Sequence, residues 1–182
     1  MYMVKLAIIG VSGRKKEQIS LLSKEHMLWM MDNVYFYIVY VMKRKFKNVT
    51  LVSGGSAWSD HIAIKLFLTG KFKGLELYLP ATFNLETKRY GDSHEGKILN
   101  LVHSKCQEKT NYGIFDEIAS VINHKNTKII LCNGFFDRNS LIAKNSDYLI
   151  AFSMGDDICG GTMDTWNKVE HENKINFNLL WS

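Results

Sequence analysis

Arg138 and Asn139 are the neighbouring residues of this chain best suited to hold an anion. The sequence after them predicts a polar loop that opens a short helix at residues 140–145, followed by an apolar strand at residues 148–152. A guanidinium can bind two phosphate oxygens at once, and ligands of open α/β sheets lie beyond the carboxyl ends of strands. The pattern therefore predicts an anion site where this strand ends. The following glycine-rich turn contributes the candidate contacts Gly160, Gly161 and Thr162.

Two earlier apolar runs, residues 4–9 and 49–52, end in glycine-containing turns of the same kind. Glycine lets the backbone approach a ligand closely, and N–H groups with serine hydroxyls can surround phosphate oxygens. A tight connection from strand to helix also favours glycine, so one such turn is weak support for a ligand site. Three such turns, two of which carry an arginine, predict phosphate or nucleotide binding. The candidate contacts in the two earlier turns are Gly10, Ser12, Gly13, Arg14, Ser53, Gly54, Gly55 and Ser56.

The elements that must position these turns alternate between strand and helix. Strands are predicted at residues 4–9, 49–52, 75–79, 127–131, 148–152 and 174–179, and helices at 15–47, 60–68, 97–106, 115–123 and 164–172. A break in the long first helix is expected at Asp32-Asn33. Strands that are apolar almost throughout are typical of a parallel sheet covered on both faces. We therefore predict one α/β domain over residues 1–182, with a Rossmann-like doubly wound, mainly parallel sheet of about six strands and helices on both faces.

Residues 82–96 show neither helical nor strand periodicity. A long aperiodic segment after a strand often forms a lid, so we expect Arg89 to reach the far end of a ligand. His94, Glu95 and His103 lack the one-turn spacing of a helical metal site. We therefore predict neither a metal nor a cofactor.

Composition narrows the class of protein. No run reaches the roughly 18 apolar residues of a membrane span, and the first strand begins too near Met1 for a signal peptide. We expect a cytoplasmic protein without a membrane partner. Cys106, Cys132 and Cys159 are far apart in the sequence and odd in number, so neither a disulfide framework nor a zinc knuckle is expected. The bias towards Asn and Lys, with Pro80 as the single proline, is typical of an AT-rich coding sequence and indicates a phage, viral or low-GC bacterial origin.

The formal net charge is +5, and much of the excess lies in residues 43–47 and 71–73. Lysines in the last turn of a helix complement its dipole and are usually solvated. A basic balance permits contact with nucleic acid but does not require it. The apolar stretch at residues 35–42 is expected to be buried or to pair with a partner, and we expect a homo-oligomer.

The order of these short motifs resembles that of the SLOG superfamily. This group contains the Rossmann-like DprA/SMF proteins, the LOG-type (lysine decarboxylase-like) nucleotide N-glycoside hydrolases and small stand-alone proteins, to which this chain is most similar. The resemblance implies that Gly54, Gly55 and Ser56 lie against a ligand phosphate. It also implies that Arg138 and Asn139 hold the same region, which residues 160–162 close. The motifs are Ser12-Gly13-Arg14, Ser53-Gly54-Gly55 with Asp60 downstream, Pro80-Ala81, Arg138-Asn139, Ala151-Phe152 and Gly161-Thr162.

The resemblance leaves three functions open. The first is binding of a nucleotide or a nucleotide-derived ligand, such as an ADP-ribose-like or cyclic nucleotide signal, by a sensor or sequestering protein. The second is LOG-type hydrolysis of a nucleoside 5'-monophosphate. The chain lacks the glutamate of the LOG motif, so the candidate carboxylates are Asp164 and Asp60, and we expect little or no hydrolysis because aspartate has a shorter reach. The third is DprA-like binding of single-stranded DNA, in which Trp58 stacks on a base; the alternative is that Trp58 packs at the rim of the sheet.

Overall fold

The computed structural model describes residues 3–181, in which strands and helices alternate as the sequence predicts. The strands are β1 (Val4–Gly10), β2 (Val49–Ser53), β3 (Gly74–Leu79), β4 (Phe83–Asn84), β5 (Arg89–Tyr90), β6 (Thr127–Leu131), β7 (Tyr148–Ser153) and β8 (Lys174–Asn178). The helices are α1 (Lys16–Leu21), α2 (Lys24–Phe36), α3 (His61–Leu68), α4 (His94–Thr110), α5 (Ile114–Ile122), α6 (Gly134–Lys144) and α7 (Gly160–Lys168). A π-helical turn, Tyr37–Val41, extends α2, and short 3-10 turns occupy Phe46–Asn48 and Leu179–Trp181.

Six strands form one sheet in the order β6-β3-β2-β1-β7-β8, and every neighbouring pair is parallel. Strands β4 and β5 form a separate antiparallel hairpin. The predicted fold class, an α/β fold with a Rossmann-like parallel sheet of about six strands, is confirmed. The sheet is parallel throughout, whereas the sequence predicts only that it is mainly so.

The core lies on both faces of the sheet because side chains alternate along each strand. Leu6 and Ile8 of β1 face a large cluster that also contains buried residues of α2, α3, α4 and α5. Ala7 and Ile9 face a second cluster, shared with Ile142 of α6. Helices thus cover both faces, and the strands between them are apolar almost throughout.

Several helical boundaries differ from the sequence prediction. The first long helix breaks at Ser23, whose backbone N–H and hydroxyl both meet His26 Nδ1. Asp32 and Asn33 lie inside α2, where the Asn33 amide donates to the Trp29 carbonyl. Helix α4 begins at His94, because the Ser93 hydroxyl accepts a hydrogen bond from the Gly96 N–H and caps it.

Further differences, in α6 and α7, concern the predicted anion site. Helix α6 starts at Gly134, six residues earlier than predicted, so Arg138 and Asn139 are helical rather than in a loop. The Asn133 N–H donates to the Asp137 carboxylate in the first turn, where a negative charge is favourable. Helix α7 starts at Gly160 and ends at Lys168, so Gly160, Gly161 and Thr162 form its first turn. The segment predicted as an aperiodic lid contains the hairpin of β4 and β5.

Candidate functional site

A cleft opens between β1 and β7, where the strand order of the sheet reverses. From β1 the chain moves outward through β2, β3 and β6, and then returns to place β7 on the other side of β1. The loops after β1 and β7 therefore diverge, and ligands of open α/β sheets bind in the crevice that this leaves. The cleft has a volume of about 210 Å³ and is lined by the ends of both strands, α6 and the start of α7.

Most of the predicted contacts line this cleft, and some do not. Those that line it are Gly10, Ser12, Arg14, Ser56, Asp60, Arg138, Asn139, Gly160, Gly161 and Thr162. Those that lie outside its lining are Gly13, Ser53, Gly54, Gly55, Trp58, Arg89 and the carboxylate residue Asp164. The three glycine turns thus converge as predicted, but only some of their residues face the cleft.

Two guanidinium groups lie on one phenyl ring at the cleft. The Arg14 guanidinium is 4.2 Å from the centre of the Phe135 ring, and the Arg138 guanidinium is 5.0 Å from it. Arg14 is exposed at the mouth, whereas Arg138 is buried. Burial lowers the pKa of both groups, and the positive charge of Arg138 lowers the pKa of Arg14 further. The nearby Asp60 carboxylate opposes the shift at both guanidinium groups. Among residues 3–181, no carboxylate lies within 4.0 Å of either guanidinium.

Arg138 is held by neutral acceptors. Its Nη1 donates to the Gly54 carbonyl at 3.3 Å, and its Nε and Nη2 donate to Asn139 Oδ1 at 3.2 and 3.0 Å. The Asn139 amide in turn donates to the Gly161 carbonyl at 3.3 Å and to Asp164 Oδ2 at 3.0 Å. The arginine of α6 is thereby fixed relative to both the β2 turn and α7. Its orientation is set before any ligand arrives.

Of the described part of the chain, Asp60 is the one acidic residue in the cleft lining. Its carboxylate accepts a hydrogen bond from the Ser56 N–H at 3.3 Å, and only 5% of the residue is exposed. Burial raises the pKa of Asp60, an effect that Arg138 and Arg14 partly oppose. A carboxyl group with a raised pKa inside a cleft is a candidate for proton transfer.

The start of α7 forms the opposite wall. Gly160, Gly161 and Thr162 line the cleft, and the N–H groups of a first helical turn have no partner within the helix. Gly160 has a φ of +58° and its Cα faces open space, since a Cβ there would meet no atom within 4 Å. This wall therefore presents the N–H groups of a first helical turn together with the positive end of a helix dipole.

The second glycine turn, by contrast, packs against core residues on the side away from the cleft. A Cβ on Gly55, whose φ is +65°, would overlap the Leu79 side chain, so glycine is required there by the core. The Gly55 carbonyl accepts hydrogen bonds from the Tyr90 hydroxyl at 3.1 Å and from His103 Nε2 at 3.0 Å. Gly54 lies against both Asp60 and Arg138, where a Cβ would be 2.8 Å from Asp60 Oδ2. These glycines support the cleft but do not line it.

Three other predicted residues are placed away from the cleft. Trp58 is completely buried and packs against Gly13, so its ring offers no face to a base. The Arg89 guanidinium lies 3.8 Å from the centre of the Phe115 ring, and Arg89 belongs to the hairpin rather than to a lid over the cleft. The Asp164 carboxylate accepts from Lys168 Nζ at 2.8 Å, and this bond and that of Asn139 lower its pKa.

Sequence reasoning missed several residues of the lining. The most informative is Phe135, whose ring contacts both guanidinium groups. The others include Lys15, Gln18, Ser153, Met154, Cys159 and Thr165. Ser153 and Met154 directly follow β7, so the rule that ligands lie beyond strand ends points to them. Nothing in the sequence singles out Phe135, because its role depends on where α6 begins.

Within residues 3–181, no three His, Cys, Asp or Glu side chains are grouped so as to hold a metal ion. None of the helices in the same range combines the length and the apolar character that crossing a bilayer requires.

Comparison with known proteins gives one clear relationship. No protein-family model matches the chain, and no solved structure matches it significantly. The chain is 49% identical over 176 residues to the uncharacterized protein R261 of Acanthamoeba polyphaga mimivirus, which covers 97% of this chain and 96% of that protein. The relative is viral, in agreement with the origin that composition indicates. An identity of this size over almost the full length of both proteins places this chain in the same family as mimivirus R261.

Proposed function

We propose that this protein binds a nucleotide or a nucleotide-derived, phosphate-bearing ligand in the cleft between β1 and β7, as a small stand-alone member of the SLOG superfamily. The observation that carries the proposal is the charge of the cleft. Arg14, Lys15 and Arg138 line it, and among residues 3–181 Asp60 is the only acidic residue of the lining. A phosphate group would balance the excess and accept hydrogen bonds from the first turn of α7.

The dimensions of the cleft fit part of such a ligand. Its volume, about 210 Å³, is below the roughly 300 Å³ at which typical small-molecule pockets begin. The phosphate and the adjoining sugar would occupy the enclosed part, beside Arg138 and α7. The remainder of the ligand would extend through the mouth past Arg14, which is exposed and unpaired with any carboxylate among the described residues.

Native mass spectrometry of the purified protein tests the proposal first, because a retained ligand would reveal itself by its mass. Calorimetric titration with AMP, ADP-ribose and cyclic AMP then measures affinity. Arg14→Gln should weaken binding at least tenfold, while Arg89→Gln should leave it unchanged. These two variants are matched, since each arginine lies over a phenylalanine ring, one inside the cleft and one outside it. Failure of all phosphate-bearing nucleotides to bind would refute the proposal.

A second function, N-glycosidic hydrolysis of a nucleoside monophosphate, is favoured by one observation: the buried carboxyl group of Asp60 lines the cleft and has a raised pKa. Such hydrolysis needs a carboxyl group beside the sugar and a proton for the leaving base. Asp164 is a weaker candidate, because its carboxylate is engaged by Lys168 and Asn139 outside the lining.

Following free base by chromatography after incubation with AMP and dAMP decides between binding and hydrolysis. We expect no turnover. If base is released, Asp60→Asn should abolish the release and Asp164→Asn should not. Release that depends on Asp164 instead would contradict the assignment of roles drawn from the two carboxylates.

A further inference from the structure

The end of the molecule opposite the cleft carries an exposed apolar surface bordered by lysines. Four apolar side chains at the end of α2 and in the π-helical turn are exposed by 42 to 65%: Phe36, Val39, Tyr40 and Val41. The lysines are exposed and come from two segments of the chain: Lys43, Lys45 and Lys47, and Lys71 and Lys73. We call these nine residues the basic apolar patch. Both lysine segments directly precede strands β2 and β3, so they lie at the amino ends of the strands, away from the cleft.

Three aromatic rings join the two lysine segments into this single surface. Tyr35 of α2 lies with its ring centre 5.2 Å from that of Phe46 and 6.3 Å from that of Phe72, and the rings of Phe46 and Phe72 are 5.4 Å apart. The Lys71 ammonium is 5.1 Å from the centre of the Tyr35 ring. Because these rings pack between segments that are distant in the sequence, lysines that the sequence shows as two separate groups become one field of positive charge.

The positive charge of the patch is not balanced locally. Residues 36–48 and 69–74 contain no aspartate or glutamate, and the nearest acidic residue along α2 is Asp32, one turn before Phe36. Within residues 3–181, none of the five lysines has a carboxylate within 4.0 Å. Beside them, the rings of Phe36 and Tyr40 pack on each other at 4.8 Å and remain exposed. Large exposed apolar groups with a rim of one charge mark a surface that meets a partner.

We propose that the basic apolar patch docks on an anionic lipid surface. A bilayer interface accepts aromatic and aliphatic side chains, while its acidic headgroups attract each lysine near the surface. Single-stranded nucleic acid fits less well, because Val39 and Val41 have no ring to stack on a base and no polar group for a phosphate. A second copy of the chain also fits less well, since a two-fold contact would bring the two lysine fields together.

This inference concerns a protein lying on a membrane, which is distinct from one spanning it. The expectation of no membrane partner rests on the absence of an apolar run long enough to cross the bilayer. A peripheral contact needs no such run, because a few exposed side chains are enough for it. The inference is independent of the cleft and of the nucleotide-binding proposal.

Vesicle co-sedimentation of the full chain tests the inference. Vesicles of phosphatidylcholine alone are compared with vesicles of equal parts phosphatidylcholine and phosphatidylserine, at low and at physiological ionic strength. We expect binding to the anionic vesicles that weakens with salt, and little binding to the neutral ones. Lys45→Gln should lower the partition coefficient about fivefold, and Tyr40→Ser should lower it about tenfold.

The matched controls are Lys97→Gln and Leu101→Ser on α4, which change an exposed lysine and an exposed apolar residue outside the patch. They should bind as the unchanged protein does. Three results would overturn the inference: no binding to anionic vesicles at low salt, equal losses in the control and patch variants, or salt-independent binding to both kinds of vesicle. The same variants are also tested for binding to a single-stranded oligonucleotide and for dimer formation in sedimentation. If the patch variants abolish either of these while vesicle binding persists, the patch belongs to nucleic acid or to a second copy of the chain instead.

Discussion

Replacement of Arg138 by glutamine should weaken ligand binding by about 2 kcal/mol, or about thirtyfold in Kd, because one charge-assisted hydrogen bond to an anion is lost. The structure indicates that the whole of this loss should appear in the binding free energy. Arg138 is buried, its partners are the neutral Gly54 carbonyl and the Asn139 side chain, and it does not have to reorganise before it meets a phosphate. Arg138→Lys should recover only part of the loss, since an ammonium group keeps the charge but not the planar fork.

Calorimetric titration with the retained ligand, or with AMP if none is retained, measures this change. Urea unfolding monitored by circular dichroism checks that the variant is folded, because Arg138→Gln also removes donors from two buried acceptors. Arg89→Gln serves as the control and should leave Kd unchanged, because Arg89 lies outside the cleft lining. Loss of its exposed cation–π contact should cost at most about 1 kcal/mol of stability. A Kd within twofold of the original in a folded Arg138→Gln variant would refute the assignment of Arg138 to the anion site.

Three further results are expected. Asp60→Asn should raise the free energy of unfolding at neutral pH, because burial raises the pKa of Asp60 above its usual 3.8 and ionisation of the carboxyl group therefore opposes folding. In urea titrations at different pH, this gain in stability should disappear below pH 3.8, where Asp60 is protonated in both the folded and the unfolded protein. Gly55→Val should lower the free energy of unfolding by about 3 kcal/mol, because the branched side chain would overlap Leu79 at a positive φ; an unchanged urea midpoint would contradict this. Iodoacetamide should modify the exposed Cys159 well before Cys106, because burial raises the pKa of Cys106 to about 12. A bound ligand should slow only the reaction of Cys159, which lines the cleft. Peptide mass spectrometry measures both rates.

The sequence by itself determines the sheet and the turns at its edge. Apolar runs such as residues 148–152 must be buried on both faces, and glycines after three of them mark tight connections to the next helix. Because parallel strands end at the same edge, those turns were bound to be near one another. Ten of the candidate residues from that reasoning line the cleft, among them Arg14, Asp60 and Arg138.

Tertiary structure decides which of the remaining side chains face the cleft. Because α6 starts at Gly134, Phe135 and Arg138 lie on the same surface of the helix. The hydrogen bond from the Asn133 N–H to the Asp137 carboxylate stabilises that start. Trp58 is directed into the core because Gly13 leaves room for its ring. Such outcomes depend on the order of strands and on packing between distant segments. Neither is encoded in local periodicity, so the sequence predicts where the site lies but not its full set of residues.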